Sequence, residues 1–446
     1  MSLHPLSLLS IYIALLFVLS VRYVVGPLGA LGSPATLIAL SCALVWIASR
    51  THPGMASAAG LQPVRTAGLL FGWVMLASYA AGSFRPLSAL EASGSNRAIV
   101  MVAALMGIML LTADGIETRD QLDRLLQRLV AAAVFLAAIG MVQFASGWDF
   151  SRAFHPPGLS LNGDLAAVRV RTVPRVTGTA MHSIEFGVVL AMLLPLAIHY
   201  ALFPPAEAGF FGRLLRWVAV GLIGFALPLS ISRSAVLGLA AAFVTMMAGW
   251  SWRMRTNALA AGLVGLVAMK AAVPGVVSTL KSFFINYSND PSVIGRIDDY
   301  GAVTRFIAER PLLGRGIGTF LPDIYRYLDN QYLGVLIESG VLGLLATVGV
   351  LLVAVSAARG GRHRSSDVAT RNLGQALTAA IAVALLTFAT FDALAFAIFA
   401  GALFIVLGAC GALWRLTALT LPQATWAASA CSPELLPLRA EPSTVT

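Results

Sequence analysis

The sequence predicts an all-α polytopic membrane protein of about twelve transmembrane helices, with a long extracytoplasmic loop before the tenth span. Three observations predict it. The 446 residues are 58% hydrophobic and only 11% charged, too little charge to cover a soluble fold of this size. Apolar runs of about span length recur along the chain between charged residues, Gly or Pro. Arginines gather in alternate short connections, the pattern of a chain crossing a bilayer repeatedly.

In order, the runs cover residues 6–25, 35–49, 66–81, 97–113, 127–147, 179–203, 214–231, 234–250, 257–274, 332–358, 373–391 and 393–414. The opening "MSLHPLSLLSIYIALLFVLSV" lacks a basic n-region and a clear cleavage site, so it reads as a retained first span. One alternating set of short connections carries Arg50 and Arg65; Arg119, Arg124 and Arg128; Arg213 and Arg216; Arg253 and Arg255; and Arg359, Arg362, Arg364 and Arg371. The positive-inside rule puts this set, and with an even span count both termini, in the cytoplasm. Two long loops, about 148–178 and 275–331, then face outward, where function is expected. Residues 1–416 form one integral membrane domain, and 417–446 a cytoplasmic, disordered tail.

Several function classes drop out. The net charge is +10, but no basic cluster interleaves with aromatics on a soluble domain, so nucleic acid is not a partner. Cys42, Cys410 and Cys431 have no metal-ligand spacing. No cofactor or metal is called for.

The candidate residues are polar groups at the outer ends of apolar helices. "YRYLDNQYLGVLIESGVLGLL" enters a long helix through Asp329 and Asn330 and carries Glu338 within it; a carboxylate in hydrocarbon costs about 2.5–3.5 kcal/mol on insertion scales. Asp329 is a proton acceptor or a helix N-cap. Glu338 lies nine residues on, about half a helical turn round, so the two are not an obvious pair. It reads as a buried hydrogen-bonding group or an arginine's ion-pair partner, with Gly340 and Gly343 permitting close helix packing. In "LPLSISRSAVLGL", Pro228 and the serines around Arg233 break an apolar stretch into a tight outer hairpin. Arg233 either snorkels to headgroups or binds an anion. "RVTGTAMHSIEFGVV" places Arg175 before a turn and His182 and Glu185 at the start of a helix; His182 reads as a polar residue of that start, not a metal ligand. Arg296 lies in "SVIGRIDDYGAVTRFIAERPLLGRGIGTF", where helical spacing of Ile297, Tyr300, Val303, Phe306 and Ile307 predicts a surface amphipathic helix ending at Pro311. Arg305, Arg310 and Arg315 read as solvated or in contact with headgroups.

Four segments, "RVTGTAMHSIEFGVVLAMLLPLAI", "SISRSAVLGLA", "GRIDDYGAVTRFIAERPLLGRGIGTF" and "LDNQYLGVLIESGVLGLL", occur in that order between Arg175 and Gly343. Together they resemble the O-antigen ligase and Wzy-type polymerase family, membrane glycosyltransferases of the GT-C class. The resemblance implies a polyprenyl diphosphate-linked glycan donor and a glycan or glycolipid acceptor. It implies an inverting transfer at the outer face of the bacterial cytoplasmic membrane, in surface polysaccharide assembly. Carried over, Arg233 and Arg296 would clamp the diphosphate, with Arg175 nearby; Asp329 would be catalytic, and Asn330, Glu338 and His182 would support the site. Ligases of this family carry His where this chain has Asp329, a departure that tilts the reading towards polymerase. Two alternatives stay open: a metal site at Asp298 and Asp299, and a transporter or flippase of lipid-linked sugars.

Overall fold

The computed structural model describes residues 4–20, 23–52, 61–154, 156–161, 175–205, 207–285 and 291–419. Fifteen helices are assigned among them: α1 (Pro5–Val18), α2 (Pro34–Thr51), α3 (Pro63–Ser83), α4 (Ala89–Gly115), α5 (Arg119–Ser146), the short α6 (Phe150–Ala153), α7 (Ser183–Leu202), α8 (Phe210–Leu229), α9 (Arg233–Gly249), α10 (Trp252–Ala272), α11 (Pro274–Ile285), α12 (Pro291–Glu309), α13 (Gln331–Arg364), α14 (Val368–Thr387) and α15 (Ala397–Leu419). The tail assigned to 417–446 lies outside the described residues beyond Leu419, and α15 runs three residues past the boundary set at 416.

The twelve apolar runs coincide with α1–α5, α7–α10 and α13–α15. Among the described residues nine of these helices are long and apolar enough to cross a membrane: α2–α5, α7, α8 and α13–α15. The apolar α1 and α9 are shorter, at 14 and 17 residues. α10 is long enough but carries Arg253, Arg255 and Lys270.

Helix boundaries follow local chemistry. α1, α2 and α3 begin with Pro, whose missing N–H is no loss in a first turn. Ser33, Gln62, Thr118 and Ser232 cap their helices with side-chain oxygens, and Ser88 forms a capping box with Glu91. Gly147 closes α5 in the left-handed conformation.

One expectation needs correction. The first run does not stay helical to residue 25: α1 ends at Val18, and Tyr23–Val24 (β1) pairs antiparallel with Ser160–Leu161 (β2). The long 275–331 connection contains the predicted amphipathic helix as α12, and α11 besides.

α7 and α15 are the most deeply buried spans. α7 packs against α5, α8, α9 and α14, while α15 packs against α4 and α13. Small residues set the closest approaches: a Cβ on Gly107 would lie 2.5 Å from the Ala43 backbone, and one on Gly408 2.5 Å from the Met109 carbonyl. The arginine-rich turns meet at one end of the bundle. There Asp114 receives Arg50, Arg65 and the Trp46 indole, and Arg119 donates to Thr370. At the other end lie the α3–α4 turn, the starts of α7, α9, α13 and α15, and α12.

Candidate functional site

α13 begins at Gln331, and its N-cap is Asn330, whose Oδ1 accepts the Leu333 N–H at 3.2 Å. Capping is therefore not the role of Asp329, which stands exposed one residue outside the helix. Gln331 ties this helix start to the α14–α15 turn: its N–H donates to the Phe388 carbonyl at 2.8 Å, and its Oε1 accepts from Leu394 N at 2.6 Å. The turn carries Asp392. Burial, and secondly the Asp329 charge, push the Asp392 carboxyl up to about 6. The α14–α15 turn thus sets Asp392 within electrostatic reach of Asp329, a neighbourhood that the sequence reading did not anticipate. The signal was present, since Asp392 interrupts the apolar "LLTFATFDALAFAIF" as Asp329 interrupts its own surroundings.

Because its pKa is raised, Asp392 contributes stability that is full below the ordinary carboxylate range and is lost as pH rises through about 6. Asp392→Asn is expected to raise the melting temperature of the purified protein more at pH 7.5 than at pH 5. Equal gains at both would remove Asp392 as the titrating group.

Glu338 is not paired with an arginine among the described residues. Its Oε1 accepts the Phe320 N–H at 3.1 Å, and its own carbonyl accepts Gly316 N and Ser78 Oγ, both at 2.9 Å. Asp392 acts on it electrostatically, so all three carboxylates share one end of the bundle. Gly340 does more than permit packing. Its φ of 66° breaks α13, and the glycine-rich loop fills the break. Arg315 N donates to the Ile337 carbonyl at 2.9 Å, and Val341 N to the Pro311 carbonyl at 2.8 Å. A Cβ on Gly340 would lie 2.3 Å from the Leu312 backbone. Glycine is required here by both conformation and space.

Arg315 is neither solvated nor a headgroup contact, because it anchors this loop. Its Nη2 donates to the Tyr325 hydroxyl at 2.8 Å, and its guanidinium lies 5.0 Å from the Phe306 ring centre and 4.9 Å from that of Tyr325. Tyr325 donates to Glu91 at 2.9 Å; Arg85 bonds Glu91 at 2.9 Å and the Arg315 carbonyl at 2.9 Å. Side-chain exposures of 7% for Glu91, 13% for Arg85 and 12% for Arg315 make this a buried ion cluster. Glu309 also reaches Arg315 at 3.5 Å, but it is half exposed, so removing Glu91 takes away the cluster's buried acid, a loss of about 3–5 kcal/mol. Glu91→Ala is therefore expected to lower the melting temperature sharply, and an unchanged melt would show the cluster to be dispensable.

α9 starts at Arg233, as the break at Pro228 and the serines predicted. Ser230, Ile231, Ser232 and Ser234 are buried, and Arg233 among them is only partly so. α9 packs against α7 and α14, and Gly238, little more than a turn past Arg233, approaches Val383 and Thr387 near the C-terminal end of α14. His182 is the N-cap of α7, its Nδ1 accepting from Ile184 N at 3.2 Å, and its ring lies 6.2 Å from Phe396 in the α14–α15 turn. It is a residue of the helix start, as expected. Glu185 bridges two helix starts: it accepts from Met181 N at 2.8 Å, Ile398 N at 2.8 Å and Phe399 N at 3.3 Å. Arg175 precedes the turn whose Thr177 and Gly178 N–H groups donate to Gln143 at 2.9 and 2.8 Å, so it is held beside α5.

Arg296 falls within α12, the predicted amphipathic helix, but its side chain lies outside the described residues, as does that of Asp298. Asp299 pairs with Arg326 at 2.6 Å and is 4% exposed, so this carboxylate is already committed to a cation. The adjacent-aspartate metal site is not supported.

The α14–α15 turn is thus where the candidates meet. Asp329, Asn330 and Gln331 reach it from α13, His182 and Glu185 from α7, and Arg233 starts the helix packed beside α14. The turn that follows Arg175 is tied to α5.

No curated protein matches the chain. Residues 218–348, under a third of the sequence, match the family model Wzy_C, described as O-Antigen ligase. That match spans Arg233, Arg296, Asp329, Asn330 and Glu338, stops short of Asp392, and leaves Arg175 and His182 outside. Over this segment the chain is similar to the O-antigen ligase family.

Proposed function

We propose that this chain is an inverting, metal-independent glycosyltransferase of surface polysaccharide assembly. It moves a glycan from a polyprenyl diphosphate carrier to an acceptor hydroxyl at the outer face of the bacterial cytoplasmic membrane, with both termini in the cytoplasm. The placement of Asp329 just before α13, whose start is hydrogen-bonded to the α14–α15 turn that carries Asp392, within and beside the matched segment, carries the reading.

In this chemistry the acceptor oxygen attacks the anomeric carbon from the face opposite the diphosphate. The carbon–oxygen bond to the diphosphate breaks, and its electron pair leaves with the lipid carrier. Asp329, exposed beside the helix start, is the group to take the acceptor proton. Asp392, whose carboxyl burial pushes up to about 6, is the second carboxylate within electrostatic reach of that site. Arg233 and Arg296 would meet the charge growing on the leaving diphosphate, with Arg175 nearby. The acceptor of a polymerase is itself a lipid-linked glycan, and the aspartate where ligases carry histidine favours that form over a ligase.

The test is the polyprenyl-linked glycan profile of a strain lacking the protein. Single repeat units accumulating on the lipid with no long polymer would establish a polymerase. Long lipid-linked chains that never reach a final acceptor would establish a ligase. An unchanged pool would defeat both and favour a transporter.

A further inference from the structure

Ile231 is the only residue other than glycine with positive φ among the described residues, at 46°. The left-handed conformation crowds the Cβ of an L-residue against its own backbone, and β-branching makes it worse. Glycine would adopt it freely, so the isoleucine side chain must serve something there. It is 3% exposed and belongs to the main core cluster.

The turn around it is tight and fully seated. Ser230 N donates to the Leu227 carbonyl at 3.1 Å and Ile231 N to the Pro228 carbonyl at 3.0 Å, closing α8. Ser232 then caps α9, and Arg233 is its first residue. On its inner side the turn rests on α7 at Gly187, where a Cβ would fall 2.5 Å from both Ser230 Oγ and Ala235 Cβ. A right-handed residue at 231 would carry the chain on as helix and send Arg233 elsewhere. A residue without a side chain would leave the turn free to rock on Gly187. Strain that persists at such a point is held by its surroundings, and it fixes whatever the strained segment presents.

We propose that Ile231 is a positioning residue: its buried side chain, held in a left-handed turn seated on Gly187, presets Arg233 towards a diphosphate. This rests on the reading of Arg233 as a diphosphate contact.

The test measures affinity of the full-length chain in nanodiscs for undecaprenyl diphosphate, alongside the ligand-free melting temperature. Arg233→Ala is expected to weaken binding about tenfold. Ile231→Gly, which relieves the strain but empties a buried core position, should melt lower than the parent and, measured below its own melting transition, bind about fivefold more weakly, while Ile231→Val stays within about twofold of the parent. The Ile231→Gly, Arg233→Ala double variant should bind no more weakly than Arg233→Ala alone. If Ile231→Gly folds poorly, Ile231→Asn, which tolerates the left-handed region, takes its place in both comparisons. Parental affinity in the Ile231 variant, or losses that simply add in the double, would overturn the positioning role and leave Arg233's role standing. Parental affinity in Arg233→Ala would instead overturn the diphosphate reading, and this proposal with it.

Discussion

Arg233→Lys is expected to lower glycan transfer about a hundredfold while leaving the melting temperature unchanged. The charge is conserved, so any loss measures geometry. A guanidinium offers a planar fork of donors that meets two phosphate oxygens at once, whereas an ammonium is a compact, strongly hydrated point charge. The first turn of α9 adds its own partial positive charge, which falls off within that turn. Only a short, rigid reach from this turn keeps the cation inside that region. Arg296→Lys should behave alike if the two arginines share the leaving diphosphate. Transfer within about twofold of the parent for either variant would remove that residue from the clamp. The same assay on Arg175→Lys separates a third clamp member from an anchor beside α5.

Much of this architecture was written in local pattern. The apolar runs marked twelve helical segments, Pro228 and its serines marked the hairpin before Arg233, and the spacing of Tyr300, Val303 and Phe306 marked α12. What local pattern could not supply was pairing across the chain. Asp392 meets Asp329 only because the α14–α15 turn folds against the start of α13. Arg315 looked solvated because its buried acid, Glu91, lies in a distant hairpin, and its aromatic partners lie on α12 (Phe306) and in the loop before α13 (Tyr325). The break at Gly340 was hidden by apolar residues on both sides, which continue the helical pattern straight through it. α10 sits at the margin for the opposite reason: its length suits a span, but three cations dilute it. The chemistry was legible as residue types at the helix ends opposite the arginine-rich turns, and the geometry that brings some of them together was not.

Asp329→Asn is expected to cost between about a hundredfold and ten-thousandfold in transfer rate, the range a general base contributes. The structure makes this substitution unusually clean. Asn330 holds the cap of α13, so removing the Asp329 charge does not unpick the helix start, and the melting temperature should stay level. Removing that charge also relieves Asp392 of its carboxylate neighbour, so any stability change should be a small gain, not a loss. A large rate loss with a level melt therefore assigns the proton to Asp329. Full activity would reduce it to a group that orients the acceptor or does nothing, and attention would pass to Asp392. Asp329→His sharpens the distinction. An imidazole accepts a proton readily near neutral pH, so a base role predicts that this variant outperforms Asp329→Asn at pH 7.5 and falls towards it as the pH drops below about 6. A carboxylate needed only for charge or shape predicts no such recovery, since neutral imidazole supplies neither.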